Sequence, residues 1–63
     1  MSDFKERLNI EIDELNQKMI KLKEFLTSDK VENIKQVQRD LLKIQLNAME
    51  TYLSCLITRV INL

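Results

Sequence analysis

The stretch from Leu42 to Leu63, LKIQLNAMETYLSCLITRVINL, decides the fold. Its apolar residues Leu42, Leu46, Met49, Leu53, Leu56, Val60 and Leu63 are separated by steps that alternate between four and three. That is the heptad period of a helix packed along another helix. Working back toward the N-terminus, Phe4, Leu8, Ile12, Leu15, Met19, Leu22 and Leu26 recur at helical spacing, enough for about 35 Å of helix. Between the two stripes, Thr27-Ser28-Asp29-Lys30 is the one plausible break, because Thr, Ser and Asp compete for backbone hydrogen bonds and favour caps and turns. Asp3 with Glu6, and Asp29 with Glu32, have the spacing of capping boxes that start helices. Val31, Ile34 and Val37 carry an apolar stripe toward Leu41, but this β-branched run is the weakest helical stretch, and a kink or short extra helix near Lys35 is expected.

These signals predict an all-α chain: an antiparallel two-helix hairpin that assembles into a helical-bundle oligomer. The predicted elements are one helix over 3–27, a turn over 28–30 and a second helix over 31–62, in a single domain. Self-association is expected for two reasons. A chain of 63 residues is marginal alone, and its lone cysteine, Cys55, can make no internal disulfide. The last sixteen residues are also apolar on more than one face. Ala48, Tyr52 and Cys55, and separately Ile57 and Ile61, lie off the hairpin stripe and are the expected oligomer interface.

Composition excludes several classes. Ten basic residues balance ten acidic ones, which argues against general nucleic-acid binding. Without His and with one Cys, no zinc constellation can form, no base is present to activate Cys55, and no metal or other cofactor is expected. The charged start MSDFKER is not a signal peptide, and no apolar run is long enough for a membrane span, so a cytoplasmic location is expected. There is no P-loop, Gly-rich turn or triad material, so the chain is not expected to be an enzyme.

Two flanks carry residues suited to recognition. Gln38, Gln45, Tyr52 and Arg59 are spaced by seven along the second helix and combine amides, an aromatic platform and a planar cation. Tyr and Arg can stack on a base, and Arg can grip phosphate through two hydrogen bonds. The ordinary alternative places Tyr52 at an interface rim and Arg59 at the favourable C-terminal end of a helix dipole. On the first helix, Arg7, Glu11, Glu14, Lys18 and Lys21 read as a solvated, salt-laced face; the alternative is that Lys18 and Lys21, with Phe25 one turn on, form part of a phosphate-and-ring pocket at a subunit junction. Lys30 and Lys35 flank the turn as ordinary exposed lysines, and Cys55 reads as an inert small hydrophobe.

The segments FKERL, DELNQKMIKLKEFLTSDK and DLLKIQLNAMETYLSCLITRV together resemble a group of short bacteriophage and prophage proteins. The matching positions are Glu6, Arg7, Leu22, Phe25, Leu26, Ser28, Asp29, Lys30, Leu41, Leu42, Gln45, Met49, Tyr52, Leu56 and Arg59. That group is similar to the helical-hairpin sponges of the anti-CBASS type. The resemblance implies a small, cytoplasmic, oligomeric, non-catalytic protein that traps a cyclic di- or trinucleotide in pockets between protomers. Defence effectors of the bacterial host are then never switched on. The residues expected to contact such a ligand are Arg7, Lys18, Lys21, Phe25, Gln45, Tyr52 and Arg59, with the rings stacking on bases, the cations meeting phosphate and Gln45 reading a base edge. Two other classes fit the pattern: a helical adaptor or inhibitor of a host protein, and a small RNA-modulating four-helix bundle.

Overall fold

The computed structural model describes residues 2–63. Helix α1 spans Ser2–Leu26 and helix α2 spans Gln36–Ile61, joined by a 3-10 turn at Asp29–Asn33. The helices lie antiparallel in a rod measuring 47 × 15 × 12 Å. All-α hairpin architecture is thus as the periodicity predicts.

The ends of the elements follow from local chemistry. The Thr27 hydroxyl donates to the Lys23 and Glu24 carbonyls at 3.1 and 3.2 Å, and the Ser28 hydroxyl donates to the Phe25 carbonyl at 2.8 Å. The Lys23 and Phe25 carbonyls also accept the backbone N–H groups of Thr27 and Ser28, so the hydroxyls reinforce the last turn of α1 and meet the Glu24 carbonyl, one of those a helix leaves without a partner at its end. The chain then reverses without a positive φ at any described residue, as a sequence free of glycine requires. Ile34 and Lys35 are both extended, with ψ of 157 and 149. The second helix therefore begins at Gln36, five residues later than residue 31, because the β-branched Val31–Ile34 segment tightens into a 3-10 turn instead of starting an α-helix. Asp29 and Asp3 likewise do not cap α-helices. Asp29 opens the 3-10 turn, and Asp3 sits inside the first turn of α1, where its charge favours the positive end of the helix dipole.

The core lies along the hairpin seam. Leu8, Leu15 and Met19 of α1 and Leu56 of α2 are buried, and Ile12, Leu46, Met49, Leu53 and Val60 pack against them. Both predicted stripes are represented, but their ends are not covered: Phe4 is 47% and Leu63 63% exposed. Val37 and Leu41 do not continue the seam either. They are more than half exposed on the outer side of α2.

Candidate functional site

At the open end of the hairpin the start of α1 meets the end of α2. Phe4, Arg7, Leu8 and Glu11, one and two turns apart on α1, line a cleft of about 250 Å³ with Arg59 of α2. The Arg59 guanidinium carbon lies 5.9 Å from the centroid of the Phe4 ring, within cation–π range. Leu8 forms the apolar floor, being 4% exposed. Two guanidinium groups and one carboxylate border the cleft, so its local balance is cationic although the whole chain is neutral. Arg7 and Arg59 can each present a planar fork of donors to an anion. Glu11 stands one turn beyond Arg7 and adds the cleft's one carboxylate.

The predicted ligand residues separate in space. Arg7 and Arg59 come together in this cleft. Phe25 lines a different one, of about 310 Å³, at the turn end with Glu24, Ser28 and Lys30. The helical distance from Phe4 to Phe25 is roughly 30 Å, so those two rings cannot flank one small ligand within a single copy. Lys18, Lys21, Gln45 and Tyr52 are exposed and line neither cleft. They do share a side of the rod with the first cleft. Arg59 stands opposite Phe4–Leu8, and seven residues back along an antiparallel partner set Tyr52 level with the Glu11–Leu15 turn. Phe4 and Glu11 are the site residues that sequence reasoning assigned elsewhere. Phe4 read as core, and only its place one turn before the first buried residue, Leu8, hinted that it would be left uncovered.

The expected interface residues also divide. Ala48, Tyr52 and Cys55 occupy the flank of α2 nearer Arg59, whereas Ile57 and Ile61 lie toward Lys43 and Glu50, on the other side of the core seam. All five are exposed.

Among the described residues no group of acidic, cysteine or histidine side chains could hold a metal ion, and no helix is long and apolar enough to cross a membrane.

The family model for Sequestin matches residues 2–62. The chain belongs to the Sequestin family. The family's name suggests a sequestering, sponge-type function. Comparison with curated proteins and with solved structures gave no match.

Proposed function

We propose that this Sequestin-family chain is a non-enzymatic sponge that withholds a cyclic oligonucleotide immune signal. It would act in the cytoplasm of a bacterial host as a phage-borne counter to defence. The observation that carries the reading is the convergence of Arg7 and Arg59 beside the Phe4 ring over an apolar floor. Phosphate calls for the two guanidinium forks, and a base calls for an aromatic or guanidinium plane. The cleft of about 250 Å³ lies just under the roughly 300–1,000 Å³ of small-molecule sites. One hairpin therefore grips one phosphate-and-ring unit, and copies of the chain together hold the whole ligand. Trapping needs no bond to be made or broken, only affinity and abundance.

A thermal-shift titration with cyclic di- and trinucleotides tests this. A ligand that binds only the folded chain adds about 2.7 kcal/mol at one hundred times its Kd, a rise of about 10 °C or more for so small a protein. The nucleotide should be recovered unchanged after heating. Arg7→Ala and Arg59→Ala should each abolish the shift while the helical circular-dichroism signal persists. No shift with any member of the panel, or a full shift in both variants, overturns the proposal.

The apolar exterior of α2 favours a second reading, an adaptor for a host protein. That reading predicts no nucleotide shift and a stoichiometric complex with one purified target.

A further inference from the structure

Helix α2 carries a second heptad ladder besides the one that closes the hairpin. Val37, Leu41, Ile44, Ala48, Thr51, Cys55 and Thr58 follow steps of four and three, and so share one face. All seven are exposed. Between Leu41 and Thr58 the only charges on the helix are Lys43 and Glu50, and both point away from this face.

The ladder is graded in size. Its first half is large, with Val37, Leu41 and Ile44 exposed by 57%, 53% and 62%. Its second half is small, and there the surface dips. Thr51, Ser54, Cys55 and Thr58 surround a depression rimmed by Arg59. The first four stand at i, i+3, i+4 and i+7, the outline of the hole that receives a knob in a coiled coil.

We infer that α2 packs antiparallel against α2 of a second copy, with Ile44 of each seated in the Thr51–Ser54–Cys55–Thr58 hole of the other. This gives an arrangement to the self-association invoked under the proposed function and rests on that part of it. The geometry follows from the grading. Antiparallel pairing sets Ile44 opposite Cys55, Leu41 opposite Thr58 and Ala48 opposite Thr51, with the two-fold axis between Ala48 and Thr51. Large then meets small at Leu41–Thr58 and Ile44–Cys55, small side chains meet at the two-fold axis, and both holes are filled at once, as a closed isologous contact requires. Parallel pairing in register would set large against large and small against small, leaving both holes empty. A charge-free strip this long exposes on the order of 500 Å² per copy, the lower bound for a specific interface. A neutral, self-complementary surface suits a copy of itself better than a charged partner. Gln45, Tyr52 and Arg59 flank this ladder on the side of α1, so the second copy borders the Arg7–Arg59 cleft.

The full chain tests this by sedimentation and oxidative cross-linking at micromolar concentration. Wild type should sediment as a dimer yet form no disulfide. The two Cys55 residues lie eleven helical steps apart along the seam, about 16 Å, beyond the ~7 Å that a disulfide spans. Ile44→Cys with Cys55 retained should give a covalent dimer, and Ile44→Cys with Cys55→Ser should give none. Ile44→Lys should weaken association at least about tenfold, because a second cation would be buried against the Arg59 that rims the hole, while leaving the hairpin's helical signal intact. A disulfide through Cys55 alone, a ladder of larger cross-linked species, a dimer that Ile44→Cys fails to cross-link, or a monomeric wild type would each overturn the arrangement. None of these readouts involves a nucleotide, so failure here is distinct from failure of the sequestration reading.

Discussion

The two helices contribute unequally. Helix α1 supplies three of the four buried side chains, Leu8, Leu15 and Met19, and much of the rest of its surface is charged. Helix α2 supplies one, Leu56, yet leaves Val37, Leu41, Ile44, Tyr52, Ile57 and Ile61 in contact with solvent. Soluble chains leave single apolar residues exposed as a matter of course, but contiguous apolar strips mark surfaces that meet something. The difference teaches that α1, with only Phe4, Ile10 and Ile20 as large apolar residues left exposed, mainly serves the hairpin, whereas α2 serves the hairpin with one ladder and faces outward with another.

The largest effect that tests this contrast is in the seam. Leu56 is 1% exposed, so Leu56→Ala should cost about 2–5 kcal/mol, enough to melt much of the helical circular-dichroism signal at 25 °C. Ile61→Ala, on a residue 74% exposed, should fall within about 0.5 kcal/mol of wild type. Equal losses would mean that the two sides of α2 are not distinct. Next comes Arg59→Ala. Its cation–π contact with Phe4 contributes about 0.5–1 kcal/mol, so stability should drop by no more than that in a chemical melt. A larger fall would make Arg59 a structural residue rather than a ligand residue. The smallest effect sits at the turn. Thr27→Ala removes exposed hydroxyl bonds at the end of α1 and should cost about 0.5 kcal/mol, the low end for a hydrogen bond. Lys30→Ala nearby should be close to neutral. If Thr27→Ala proves neutral as well, solvent can replace the hydroxyl at that helix end.

Much of the fold was legible because it rests on local rules. Heptad steps named Leu8, Leu15, Met19 and Leu56 as core, and Thr27-Ser28 marked the end of the first helix through side chains that can reach their own backbone. The start of the second helix was less legible. The capping-box spacing of Asp29 and Glu32 fits a helix and a 3-10 turn about equally well, and β-branched residues tipped it to the latter. The candidate site was legible only in pieces. Periodicity placed Arg7 and Arg59 on suitable flanks, and Phe25 joins the turn end through its closeness in sequence to Ser28 and Lys30, but nothing local brought Phe4 under a guanidinium.

By itself the sequence determined that there would be two amphipathic helices, where the chain would reverse and which residues would line the seam, since period and hydroxyl chemistry act over a few residues. Only the tertiary structure decided which flanks share a side and which ends coincide. Arg59 reaches Phe4 and Arg7 from the far end of the chain, and that meeting depends on how the Asp29–Asn33 turn sets the register of one rod against the other.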